Sequence, residues 1–194
     1  MSILNFDNQT LIKLGHLTGS VHFHFLGFII SLDDCSIVDT LNPYAQTLSD
    51  ELAVKLIAPM LNHYTLSKPT ALTGNLVKFR DLPGGYAYEG AFINRAIKPL
   101  EWHFNENPFL LSKAAELLGG QRLNIGDDST EILVLDGISL TFILYGSDEF
   151  GASVNILYDK SAVKCLPTED LAVLGELVTL RLIDAKHWYL QQLV

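Results

Sequence analysis

The chain has 194 residues, the size of one ordinary domain. Hydrophobic residues make up 48% and charged ones 18%, with mean hydropathy +0.25, so apolar burial can offset chain entropy and bulk disorder is excluded. Thirteen basic against twenty-two acidic residues leave a net charge of −9, which argues against a surface that grips a phosphate backbone, and no nucleic-acid partner is expected.

The first ten residues lack a basic start followed by a long apolar run, so no secretory signal is read there. Asn8-Gln9-Thr10 matches the glycosylation acceptor pattern, which has no meaning in a cytosolic chain. Residues 8–18 place Leu11, Leu14 and Leu17 at helical spacing, interrupted by Gly15 and Gly19, and predict a short helix. The run Ser20–Ser31 alternates and then turns continuously apolar, as a strand entering a buried sheet does. Within it Val21–Ile30 is the most apolar stretch, far shorter than the ~20 residues of a membrane helix, so no membrane partner is expected. Asp33-Asp34 reads as a turn and Ile37–Leu41 as the returning partner strand of an early hairpin.

Thr47–Glu51 supplies a hydroxyl cap and acids suited to a helix start, and a helix over 48–65 follows, with a bend expected at Pro59. Leu72–Phe79 is extended. Tyr88–Phe104 is amphipathic but contains Pro99, which predicts two short helices or one kinked helix. Asn107-Pro108 opens a helix over 108–118, closed by Gly119-Gly120. Leu123–Ile125, Glu131–Leu135, Leu140–Leu144 and Val154–Tyr158 are β-rich runs separated by Gly/Asp turns, which predicts an antiparallel meander. Pro167-Thr168-Glu169-Asp170 caps a terminal helix running to about Gln191. The fold expected is a single α+β domain, residues 1–194, with one antiparallel sheet of meander plus N-terminal hairpin. The helices 48–65, 108–118 and 169–190 should cover one of its faces.

Candidate chemistry concentrates in two places. The loop Phe79–Tyr86 joins the fixed fork of Arg80 to Gly84 and Gly85, whose backbone can approach a ligand closely, with Tyr86 beside them. It lacks the Gly-Lys-Ser/Thr ending of a phosphate loop and the spaced glycines of a dinucleotide fingerprint, and a plain structural turn is the competing reading. The turns around 146–151 collect Asp148 and Glu149, with Asp159 one strand later and Asp127-Asp128 before the meander. Such carboxylates can hold a divalent cation or serve as a general base, although Asp and Gly also satisfy ordinary turn geometry. Arg80 or Arg95 pairing with Asp148 or Glu149 would tie the two motifs together.

Other residue types offer less. Cys35 and Cys165 have no CxxC or Cys/His spacing, so neither zinc nor a cysteine-held cluster is expected within the chain. Free thiols suit a reducing cytoplasm, the expected location. His22 and His24 share a strand face, but two imidazoles alone are not a metal site, and no metal is assigned. Ser139, Ser147 and Ser153 lack a nucleophile-elbow context. Tyr86, Tyr88, Phe92, Trp102, Phe104 and Phe109 read as core aromatics sooner than as a pocket lining.

The order Phe79–Gly85, Gly119-Gly120, Ser147–Phe150, Ile156–Asp159, Leu166–Asp170 resembles an uncharacterised family, a domain of unknown function of anaerobic bacteria and archaea, over about residues 20–185. Some relatives carry this domain behind a four-cysteine iron–sulfur module. The resemblance therefore implies a setting in anaerobic redox or one-carbon metabolism, and with two cysteines here it places any cluster on an iron–sulfur protein partner. It implies no reaction, and the cofactor is left unassigned. The expected role is a ligand-binding or accessory domain for a small molecule, with Arg80, Gly84, Gly85 and Tyr86 as one wall and Asp148, Glu149 and Asp159 orienting it or facing the ligand. The alternative is a carboxylate- or metal-dependent enzyme using Asp148, Glu149 and Asp159. Trp188, Tyr189, Leu190, Leu193 and Val194 leave surplus apolar bulk at the end of the terminal helix, which predicts a homodimer with a two-fold contact there.

Overall fold

Asp7 starts the first helix, its carboxylate accepting the Thr10 N–H at 2.7 Å, and Gly19 ends it with φ 68°, so α1 spans Asn8–Thr18 as its leucine spacing predicts. The computed structural model describes residues 2–41, 50–148 and 151–193. The cap expected at Thr47–Ser49 lies outside the described residues.

The apolar run Ser20–Ser31 is not one strand. It folds as a hairpin of β2 (His22–Phe25) and β3 (Phe28–Ser31) about Leu26-Gly27. Both turn residues have positive φ, 50° and 76°, as a two-residue hairpin turn of matching twist requires. Leu26 adopts this unusual conformation while its side chain is buried. The next strand, β4 (Ser36–Asp39), pairs with β3 and with the short β1 (Ser2–Ile3), giving the antiparallel order β1-β4-β3-β2.

A second antiparallel sheet, separate from the first, holds the predicted meander: β6 (Gln121–Leu123), β7 (Asp128–Leu135), β8 (Ile138–Asp148) and β9 (Gly151–Asp159), with β5 (Leu76–Lys78) on the far edge, in the order β5-β9-β8-β7-β6. Ile138, Leu140, Phe142 and Leu144 alternate along one face of β8, whose other face is also buried at Ser139, Thr141 and Ile143. Helix α4 (Lys98–Phe104) packs on β9 and α5 (Leu110–Glu116) on β7. The 48–65 helix goes elsewhere: α2 (Asp50–Thr65), with Pro59 inside it, packs on α1, β1 and the terminal helix. Two sheets thus replace the single one expected, because the Leu26-Gly27 turn closes the N-terminal strands on themselves. The result is an α+β fold whose buried hydrophobic residues form one core spanning both sheets.

The Tyr88–Phe104 region is two short helices, α3 (Gly85–Phe92) and α4, joined by a π-helical turn at Ile93–Ile97, with Pro99 in the first turn of α4. The terminal helix α6 (Thr168–Gln191) packs against α2, α3, α4 and α5. Among the described residues no helix is long and apolar enough to cross a membrane.

Arg181 on α6 is fully buried and joins the N-terminal hairpin to this helix. Its Nε donates to the Leu26 carbonyl at 2.9 Å, and Nη2 and Nη1 donate to the two oxygens of Asp39 at 2.6 and 3.0 Å. Nη1 also reaches Asp184 at 3.4 Å, and the guanidinium lies 4.1 Å from the Phe28 ring centroid. A side chain on Gly27 would press on Nη2, so the hairpin turn needs glycine for both its φ and its fit.

Candidate ligand cleft at Arg80

The motifs that stand apart in sequence meet around one aromatic cluster. Phe79 and Phe92 stack with ring centroids 4.3 Å apart, and Tyr158 lies 6.2 Å from each. Tyr158 is fully buried and its hydroxyl donates to the Leu171 carbonyl at 2.8 Å; burial pushes its phenol well above the usual range. Thr168 does not cap α6 with its side chain. Its hydroxyl donates instead to the Pro83 carbonyl at 2.7 Å, tying the terminal motif to the glycine loop. Gly84 takes φ 78°, and at Gly85 any Cβ would overlap the Phe79 carbonyl. Both glycines are therefore required by the turn itself, which the Gly85 N–H closes by donating to Leu82 at 2.8 Å.

Beside this cluster lies a cleft of about 120 Å³. Phe79, Phe92, Ile93 and Ile97 make its apolar side, and Lys78, Arg80, Glu89 and Asn155 its polar side. Arg80 Nη1 donates to Glu89 at 3.1 Å, and its guanidinium sits 5.5 Å from the Tyr86 ring centroid, with Tyr86 largely exposed. Among the described residues Lys78 has no carboxylate partner. The π-helical turn contributes Ile93 and Ile97, and such turns recur at functional sites.

Of the three carboxylates expected opposite this wall, only the Asp159 side chain is described, and it does not line the cleft. Asp148 pairs through its backbone with Gly151 at the tip of the β8–β9 hairpin. That is four residues along β9 from Asn155, or about 13 Å at the strand rise. The Asp148 side chain and Glu149 lie outside the described residues. Arg80 is bound by Glu89, and Arg95 stands 3.9 Å from Glu176; the pairing of these arginines with Asp148 or Glu149 expected from the sequence involves side chains outside the described residues. Asp159 is 1% exposed and already satisfied. Oδ1 accepts the Thr73 N–H at 3.0 Å and hydroxyl at 2.8 Å and the Ser161 N–H at 2.8 Å and hydroxyl at 2.5 Å, while Oδ2 accepts the Gly74 N–H at 2.6 Å. Burial opposes its ionisation, but the Ser161 and Thr73 hydrogen bonds outweigh this and hold the carboxyl well below the usual range. Asp159 organises the 73–75 loop rather than facing a ligand.

His22 and His24 are exposed on β2, and His22 Nε2 is 3.7 Å from Asp33. Among the described residues no group of three or more His, Cys, Asp or Glu side chains is placed to hold a metal. The six aromatics divide: Phe92 and Phe104 are core, whereas Tyr86, Tyr88, Trp102 and Phe109 are exposed. Lys78, Glu89 and Asn155 were not anticipated, because each is an ordinary polar residue whose position becomes distinctive only when β5, β9 and α3 meet.

A family model described as Domain of unknown function (DUF3786) matches residues 16–181. The chain belongs to this family. The Arg80 cleft, the aromatic cluster and the Thr168–Pro83 tie all lie inside the matched DUF3786 span. No curated protein and no solved structure matches the chain.

Proposed function

We propose that this DUF3786 domain binds a small, partly apolar acid in the cleft beside Arg80 and acts as a ligand-binding or accessory module. The observation that carries the reading is the juxtaposition of Lys78, Arg80 and Asn155 with the apolar side of Phe79, Phe92, Ile93 and Ile97. Lys78 supplies a cation without a carboxylate partner among the described residues, Arg80 a fork braced by Glu89, and the apolar side favours an aliphatic tail. A cleft of about 120 Å³ suits a molecule the size of a short-chain carboxylate.

The proposed setting is a reducing cytoplasm, consistent with two free thiols, in anaerobic redox or one-carbon metabolism beside an iron–sulfur protein partner. We further infer a homodimer, supported by exposed Leu193 and Trp102 near the end of α6, where Trp102 adjoins His103 and His103 adjoins His187. A monomeric mass in light scattering at high micromolar concentration would remove the dimer.

Butyrate and acetate serve as probes for the cleft, read by chemical shifts at Phe79, Phe92 and Ile97. Butyrate should bind more tightly than acetate, and Lys78→Ala and Arg80→Ala should each weaken it about tenfold while leaving the fold intact, since both side chains are exposed. Equal stability loss in Arg80→Ala with unchanged butyrate binding would make Arg80 an architectural residue and end this reading.

A further inference from the structure

On a neighbouring face of α3, sharing Phe92 with the Arg80 cleft, lies a second hollow of about 170 Å³ against α6. Its walls are apolar: Tyr88, Ala91 and Phe92 from α3, and Ala172 and Val173 from α6. Its charged lining is Glu169, Glu176 and Arg95, two acids to one base. Glu169 and Glu176 both line it, and at seven residues' spacing they stand two turns apart on one face of α6, about 10.5 Å along the axis. Among the described residues Glu169 has no basic partner, and Glu176 has only the loose contact with Arg95 at 3.9 Å, whose side chain is mostly exposed.

We propose that this hollow binds an aliphatic diammonium compound. Each ammonium would meet one glutamate at a charge-assisted distance of about 2.8 Å. Two such contacts along a 10.5 Å span leave roughly 5 Å between the nitrogens, the spacing of a short polymethylene chain. The methylenes would lie over Ala172 and Val173, with the Tyr88 ring available to a cation at one end. The excess of acids over the single Arg95 disfavours an acid with an apolar tail here, so this hollow and the Arg80 cleft select opposite charges although Phe92 contributes to both. The chain's overall negative charge raises the local concentration of any cation, and the test must separate that general attraction from a site.

Calorimetric titration with 1,3-diaminopropane and with propylamine at one ionic strength does so. The diamine should bind saturably with a Kd of about 1 mM or tighter, and at least tenfold more tightly than the monoamine. Glu169→Gln and Glu176→Gln should each cost about tenfold. Arg95→Ala should act in the other direction and tighten binding, because it removes the cation competing for Glu176. All three positions are exposed or half-exposed, so the variants keep the fold. Equal affinity for diamine and monoamine would overturn the paired site, as would full retention of binding in both glutamine variants, or no binding at about 10 mM.

Discussion

At Arg181 the terminal helix holds the N-terminal sheet by charge and hydrogen bonds, whereas less than two turns earlier, around Gly175, it meets the C-terminal sheet by close apolar packing and one neutral hydrogen bond, from the Tyr158 hydroxyl to the Leu171 carbonyl. A Cβ at Gly175 would collide with the Tyr158 hydroxyl and the Phe92 ring, so the helix can lie this close to α3 and β9 only where there is no side chain. At Arg181 the approach is filled by a guanidinium that saturates the Leu26 carbonyl and the Asp39 carboxylate. The two contacts fail differently. An apolar contact loses area in proportion to what is removed, but deleting one member of a buried ionic group leaves its partners desolvated and unpaired.

The largest expected effect breaks the polar side of this comparison. Arg181→Ala leaves Asp39 nearly buried without its guanidinium, and should cost about 4 kcal/mol in urea unfolding. Amide exchange should then rise first in β2 and β3, while β8 and β9 keep their protection. Arg181→Lys should rescue little, because one ammonium cannot serve the Leu26 carbonyl and both Asp39 oxygens in the fixed fork geometry. A loss under about 1 kcal/mol would show that the hairpin is held by Phe25, Phe28 and Ile30 in the core instead.

Arg181 also shows why the sequence disclosed some of this molecule and hid the rest. Local chemistry was readable: Asp7 and Gly19 bound α1, Gly137 at φ 80° turns β7 into β8, and α6 spans Thr168–Gln191, close to its predicted range. Those features depend on residues a few positions apart. Arg181 sits between Leu180 and Leu182 and looks like a solvent-facing basic residue, because its acceptors Leu26 and Asp39 are more than 140 positions away. The Leu26-Gly27 turn was hidden by its own apolarity, since a buried leucine at φ 50° reads as part of a continuous strand. The glycine loop was found, and its reason came only from the Phe79 carbonyl packed against Gly85. The polar side of the cleft is assembled from β5, α3 and β9, and no spacing within one segment carries it.

The C-terminal sheet has its own buried charge, and the smaller effect expected there sharpens the comparison. Asp159 is as enclosed as Arg181, yet its partners are neutral: two hydroxyls and three backbone N–H groups from Thr73, Gly74 and Ser161. Those donors hold its folded-state ionisation well below the usual range despite the opposing effect of burial, whereas an aspartate in the unfolded chain titrates near 3.9. Below that value the unfolded chain takes up a proton that the folded one refuses. The stability contributed by the carboxylate is therefore complete above about pH 5 and is lost progressively as the pH falls below about 4 towards the folded-state value. Asp159→Asn places an amide among groups that all donate, and should cost about 2 kcal/mol at neutral pH. The gap between wild type and variant should narrow as the pH falls below about 4. Asp7 and Asp34 also titrate below their usual range, through hydrogen bonds to Thr10 and Ser36, but both are present in each protein and cancel in the difference. A gap that stays constant to about pH 3 would mean that the loop is held by the shape of residue 159 and not by its charge.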